Sequence, residues 1–450
     1  MLTHRMPRAL CALAGAVAAA GSLAFLAAST VVAPGAVPAG PAPVPFAIPI
    51  GAVPTAAPPT IAECEVLYGV PCYGPPQLQA AYDMASLYSA GDKGKGKTIV
   101  LVDAYGSPTI TSDLAAFDTG FKLPAPPSFK IITPEGKPTS SNQNWAEETT
   151  LDVEWSHAMA PQANILLVET PTNETIGTAG FPQIVAAEEY VINHKLGDVI
   201  SQSFGAAEET FPSASSIMDL RGAYTLAAKD DVTVLASSGD QGATSASNAA
   251  GTTYFTKPVV NWPASDPLVT GVGGTQLHLN QAGQRTAPDN VWNDTALLGE
   301  PAAGGGGVSS VFSRPSFQSS VASVVGTHRG VPDVALSAAV DGAAIIYFSG
   351  SYSIVGGTSW ASPTFAGIVA IADEVAGHDL GDLNPALYKL GSGSAGLPDI
   401  TAGNNTVSFT QGGKSYTVKG STAVKGYDLA SGLGTVNGAK LVAALAASGS

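Results

Sequence analysis

The sequence predicts an α/β fold with a mostly parallel central sheet and helices on both faces. Three runs carry that expectation: TIVLVDAYG (98–106), DVISQSFG (198–205) and VTVLASSGD (232–240). Each is a continuous apolar, β-branched stretch ending in a turn, which is the pattern of a strand buried on both faces. Between them lie helix-like stretches, WAEETTLDVEWSHAMA (145–160) and SIMDLRGAYTLAAKD (216–230). Strands alternating with helices imply parallel crossover units. In such sheets the chemistry gathers in loops beyond the carboxyl ends of the strands.

The regions before the first strand have a different texture. His4, Arg5 and Arg8 precede an apolar, alanine-rich run from Ala9 to Ala28, and Val31-Val32-Ala33 offers a cleavage site. This reads as a secretory signal over 1–33, with an uncleaved membrane anchor as the alternative. From Pro34 to Pro59, nine of 26 residues are proline. A linker is expected there, since such composition favours extended chain. Three cysteines occur, and Cys11 falls in the signal. Cys64 and Cys72 remain, and in a secreted chain one disulfide closing a short loop is expected. Residues 34–72 are thus read as linker plus disulfide loop, with no full prodomain, and 73–450 as the working domain.

Composition narrows the function. Of 450 residues, 45% are hydrophobic and 12% charged, so a large core is available. The net charge of −15 and the 20 Lys+Arg, with no basic stripe, argue against nucleic acid. No second apolar span follows the first, so no membrane association is expected after signal removal.

The strongest local signal is GGTSWASPTFAGIVAIADEV (356–375). A Gly-Gly-Thr turn delivers Ser359 to the start of an apolar helix, with Pro363 expected in the first turn. The helix dipole there favours developing negative charge, which suits a nucleophile. The plainer reading is an N-cap serine. A nucleophilic serine needs a base. Of the histidines beyond the signal, His157, His194, His278, His328 and His378, only His157 lies in the acid-bearing segment. The better candidates are Glu148 and Asp152, four residues apart and so on one helical face. Neighbouring carboxyls share a proton and split their pKa values. Glu148 can then accept the serine proton in acid while Asp152 orients it. The plainer reading is a solvated acidic face. Asp240 ends the third strand and, if protonated, can donate to a tetrahedral oxyanion; a turn aspartate is the alternative.

Together these elements resemble the sedolisin family of serine-carboxyl peptidases, which have a subtilisin-like fold. The matching segments are EETTLDVEWSHAMAP (147–161), VISQSFG (199–205), VLASSGDQG (234–242), WPASDPLVTGVGGT (262–275), VPDVA (331–335) and GGTSWASP (356–363). The resemblance implies Glu148 as base, Asp152 as its partner, Asp240 in the oxyanion site and Ser359 as nucleophile. Asp103 looks like the aspartate of ordinary subtilisins and is taken as structural. Ser203 and Gly205 stand where a peptide substrate can pair by strand addition, and Phe204, where the family often has Trp, is expected in the apolar wall of a substrate subsite. The family's calcium site resembles DI (399–400) and AVKGYDLASGLG (423–434). Asp399 and Asp428 would give carboxylates to a Ca2+ ion, and Ile400, Val424 and Gly426 carbonyls; a glycine-rich turn is the alternative. The expected protein is a secreted, monomeric, acid-acting endopeptidase with protein or peptide substrates. A silent binding module and a Ser-His-Asp hydrolase are the competing readings.

Overall fold

The computed structural model describes residues 47–448. The signal over 1–33 and the first part of the expected linker lie outside the described residues, which all fall in one compact unit.

The expected sheet is present. Parallel strands run side by side in the order Phe129–Ile132, Asn164–Thr170, Thr98–Ala104, Val199–Gln202, Thr233–Ser237, Thr270–Gln276. Val334–Ser337 adds a parallel neighbour to the last of these, and Asn290–Val291 an antiparallel one. The central residues Ile99–Val102 are wholly buried, as their β-branched character requires. Two apolar clusters form on the sheet: Leu101, Leu151, Trp155 and Phe365 belong to one, Val100, Val102, Phe181 and Trp262 to the other. The alternation of Leu101 with Val100 and Val102 is the two-faced register of a strand. The stretch 216–230 forms two short helices, Ala214–Met218 and Gly222–Lys229. Between them Arg221 pairs with Asp266 through both carboxylate oxygens, at 2.6 and 2.8 Å.

Two long helices cross on one face. The acid helix spans Gln143–Met159 and is N-capped by Asn142, whose side chain accepts from the Asn144 and Trp145 amides. The serine helix, which carries Ser359, spans Thr358–Ala376. A Cβ on Gly367 would lie 2.6 Å from the Met159 Cβ and 2.9 Å from the Ser156 carbonyl oxygen. Only glycine permits so close a crossing. Trp155 and Trp360 meet edge to face at 4.9 Å, a contact contributing roughly 0.5–1.5 kcal/mol beyond burial.

A second sheet corrects the linker expectation at Ile48–Val53. Ile48–Val53 pairs antiparallel with Ser351–Gly356, which pairs with Ala343–Phe348, which pairs with Cys72–Tyr73. Ile61–Tyr68 is a helix with a capping box at Thr60 and Glu63. Proline composition misleads here because Ile48–Val53 is an edge strand, where a missing N–H need not break a ladder; the register shifts between Pro49 and Gly51. The expected Cys64–Cys72 disulfide is formed. It packs with Val53, Val70, Ile345 and Ile354 in a small separate core. Closing so short a loop stabilises by roughly 2–3 kcal/mol. No helix among the described residues is long and apolar enough to cross a membrane.

Candidate active site

The strand Ser351–Gly356 runs straight into the glycine turn that leads to Ser359. Gly357 has φ 124°, which favours glycine, and the helix begins at Thr358. Ser359 is therefore in the first turn, whereas Pro363 sits deeper in the helix than the sequence suggests. Lacking an N–H, Pro363 leaves the Ser359 carbonyl without its helical donor. The Ser203 hydroxyl lies 3.4 Å from that carbonyl instead. The Ser359 hydroxyl in turn points at the Ser203 carbonyl at 3.4 Å. Ser362 anchors the helix to the sheet through Ser201, 2.8 Å between hydroxyls.

Because the two long helices cross at Gly367, the first turn of one faces the middle of the other. Glu148 and Asp152 are both fully buried there. Burial, and then the charge of Asp152, pushes the Glu148 carboxyl well above the usual range, while the Ser359 hydroxyl beside it pulls the other way. Neither Glu148 oxygen accepts a hydrogen bond of good geometry, so serine and base are adjacent without a closed proton path between them. Such contacts commonly tighten only with substrate in place. Asp152 accepts from the Ser203 hydroxyl at 2.8 Å through Oδ1, and its Oδ2 has no partner. Its pKa is raised by burial and then by Asp103.

Asp103, taken as structural from sequence, belongs electrostatically to this group. It is 1% exposed, both its oxygens lack partners, and burial followed by the Glu169 charge pushes it up to about 8. Its place at the carboxyl end of the strand Thr98–Ala104 was the available signal. Every charge that shifts Glu148, Asp152 and Asp103 is another carboxylate.

Asp240 ends the strand-and-turn segment after Thr233–Ser237. Its Oδ1 accepts from the Thr358 amide at 2.8 Å and the Thr358 hydroxyl at 2.7 Å. Its Oδ2 is buried without a partner, and burial pushes the carboxyl up to about 7 despite the Thr358 donors. Below that pH the free oxygen is a hydroxyl donor fixed one residue from Ser359.

A cleft of about 450 Å³ reaches this group, lined among others by Asp240, Gly205, Glu174 and the start of the edge strand at Ala47–Pro49. Ser359 itself is fully buried behind it. Of the expected substrate strand, Gly205 lines the cleft, Ser203 serves Asp152, and Phe204 is 1% exposed, 6.4 Å from both Trp145 and Phe181. His157 is not near Ser359 in any hydrogen-bonded sense. Its Nε2 lies 2.8 Å from the Pro124 carbonyl and 3.2 Å from Asp118.

No family model matches the chain. Kumamolisin of Bacillus sp. (strain MN-32) is 33% identical over 384 residues, covering 83% of this chain and 65% of kumamolisin. Sedolisin of Pseudomonas sp. (strain 101) is 29% identical over 389 residues, covering 84% of this chain and 62% of sedolisin. The fold matches a solved Pseudomonas sedolisin, a serine-carboxyl proteinase complexed with two molecules of pseudo-iodotyrostatin, with TM-score 0.72 and 27% identity over 85% of this chain and 100% of the other. The chain belongs to the sedolisin family. It spans less than two thirds of the length of both curated sedolisin-family relatives.

The segments expected to hold calcium do meet. Asp399 accepts from the Gly426 amide at 2.9 Å and the Ser392 hydroxyl at 2.9 Å. Asp428 accepts from the Val424, Ala430 and Ser431 amides at 3.0, 2.9 and 2.9 Å. Among the described residues no group of three or more His, Cys, Asp or Glu could hold a metal. An ion here would therefore rest on two carboxylates, Asp399 and Asp428, with carbonyls such as those of Ile400, Val424 and Gly426 completing an oxygen set. That donor chemistry fits a hard cation.

Proposed function

We propose that the chain is a secreted, acid-acting serine-type endopeptidase. The observation that carries this reading is Ser359 set beside a buried pair of carboxyls, with no imidazole hydrogen-bonded to it among the described residues. Glu148, ionised while Asp152 keeps the proton that the pair shares, takes the Ser359 hydroxyl proton as Oγ attacks the peptide carbonyl carbon. Charge gathers on the carbonyl oxygen, where protonated Asp240 donates from Oδ2. The carbon–nitrogen bond then breaks, and Glu148 returns the proton to the leaving amine. Water cleaves the resulting acyl-enzyme by the reverse sequence. Asp152, held by Ser203, orients Glu148 and sets its proton affinity.

The pH dependence follows from the same groups. Above about 7 Asp240 loses its proton, and an anion there repels the oxyanion it should stabilise. A histidine base would show the opposite trend, being idle in acid, and a silent module would show no turnover. A rate profile on fluorogenic peptides between pH 3 and 8 separates the three; activity that rises towards pH 8 would sink this mechanism.

A calcium ion held by Asp399 and Asp428, with carbonyls from Ile400, Val424 and Gly426, would tie two C-terminal turns together and take no part in bond cleavage. Its removal by a chelator should lower Tm, because ligand binding to the native state alone is folding free energy; an unchanged Tm would remove the ion. Secretion is tested by sequencing the N-terminus of protein recovered from the medium, expected to lie beyond Ala33.

A further inference from the structure

The mechanism above leaves one buried cleft carboxyl without a task. Glu174 is 3% exposed, its Oε2 has no hydrogen-bond partner, and it lines the cleft that also holds Asp240 and Gly205. An unpaired buried carboxyl oxygen costs about 1–3 kcal/mol, and such groups call for an explanation. Glu208 shows what a structural acid looks like in this protein. It is equally buried, and it accepts from the Ser309 hydroxyl at 2.6 Å and the Ser310 amide at 2.7 Å. Glu188 also has unpaired oxygens, but it does not line the cleft.

The loop that carries Glu174 is built rigidly. It joins the strand Asn164–Thr170 to the helix Phe181–Asn193. The Tyr105 hydroxyl donates to the Asn173 side chain at 2.5 Å, and the Thr175 amide donates to the Ala179 carbonyl at 3.1 Å. Gly180 has φ 83°, and a Cβ there would meet the Asn173 carbonyl oxygen at 1.9 Å. Glu174 is thus held at the cleft wall rather than left to find its place. The cleft's chemistry has one sign. Its ionisable lining residues besides Tyr254 are Glu174, Asp240 and Glu300, with no Lys, Arg or His among the lining residues. Asp240 is committed to Thr358 and the oxyanion, and Glu300 is exposed.

We propose that Glu174 is a specificity residue that receives a lysine or arginine side chain of the peptide substrate. The cation supplies the missing partner of Oε2 and favours the ionised carboxylate against the burial that otherwise raises its pKa, and the pair forms inside a water-poor wall, where charge-assisted bonds are strongest. This deepens the peptidase reading and rests on it.

The test uses wild type and Glu174→Gln with matched fluorogenic peptides, in which lysine, arginine or glutamine occupies each position flanking the cleaved bond in turn. At one position wild type should favour lysine or arginine over glutamine by about tenfold or more in kcat/KM, expressed mainly in KM. Glu174→Gln should bring that ratio close to one. Glu174→Asp should restore part of the preference, which a purely structural role would not do. A Tm for each variant guards against misfolding. If wild type cleaves the peptides with no cationic preference, or if Glu174→Gln keeps it, Glu174 has no such role while the peptidase reading stands. If wild type cleaves none of them across pH 3–8, both readings fall together.

Discussion

Asp333 and Asp152 are both fully buried, yet one has every partner and the other almost none. Asp333 is gripped by Arg329 at 2.5 Å, the Gly271 amide at 2.8 Å and the Tyr388 hydroxyl at 2.9 Å. Arg329 is itself fully buried, with Phe317 5.6 Å from its guanidinium. Around Asp152 there is one serine hydroxyl and a set of further acids. Burial alone therefore does not decide what an acid does. A carboxylate with a cation and saturated lone pairs ties elements together. The same group among other acids, with oxygens free, keeps its proton to higher pH than a free carboxyl and is poised to exchange it with a neighbour.

The contrast can be broken most forcefully at the nucleophile. Ser359→Ala should lower kcat by roughly 10⁴-fold or more with Tm unchanged. Glu148→Gln should lower it by about 10²–10⁴-fold, also without loss of stability, because it removes a buried ionisable group that has no partner to strand. Retention of most activity would end the assignment of Glu148 as base. Asp240→Ala should cost about 10²–10³-fold, and Asp240→Asn less, since an amide still donates. Equal losses would mean that donation is not what Asp240 does.

The paired region should respond in the opposite way. Arg329→Met should destabilise by about 3–5 kcal/mol, because it leaves Asp333 buried without its cation. An unaltered Tm would mean that Asp333 does not need it.

A further test turns on pH. Asp103 and Asp240 have folded pKa values of about 8 and about 7, against about 3.9 for a free aspartate. Below pH about 4 both are protonated whether folded or not, and the stability they allow is fully present. As pH rises towards 7–8 the unfolded chain ionises first, so stability falls by an amount on the order of several kcal/mol. Tm should therefore drop steadily from pH 4 to pH 8, and Asp103→Asn should flatten part of the slope. A Tm that rises over that range would contradict the unpaired state of these acids. Smallest in effect, Gly367→Ala should cost about 1–3 kcal/mol by overpacking the helix crossing, with kcat falling as Ser359 is pushed from Glu148.

Much of this arrangement was legible in the residues. Strands such as Thr98–Ala104 announce themselves because burial on both faces demands unbroken apolar runs. Glu148 and Asp152 are legible because helical spacing is local. The edge strand Ile48–Val53 was not, since its proline content reads as linker and the partner that makes it a strand lies far along the chain. Asp103 reads as structural because its relation to Asp152 exists only across the packed layers. Glu174 gave no signal at all: its meaning comes from a missing hydrogen bond, which no sequence displays.

The strand leading to Ser359 owes its position to a segment far earlier in the chain. Ile48 aligns with Gly356, a partner about three hundred residues away in the chain. A ribosome making this protein releases one half of that pairing long before the other exists. The turn that carries Ser359 is thus completed only after both stretches of chain have emerged.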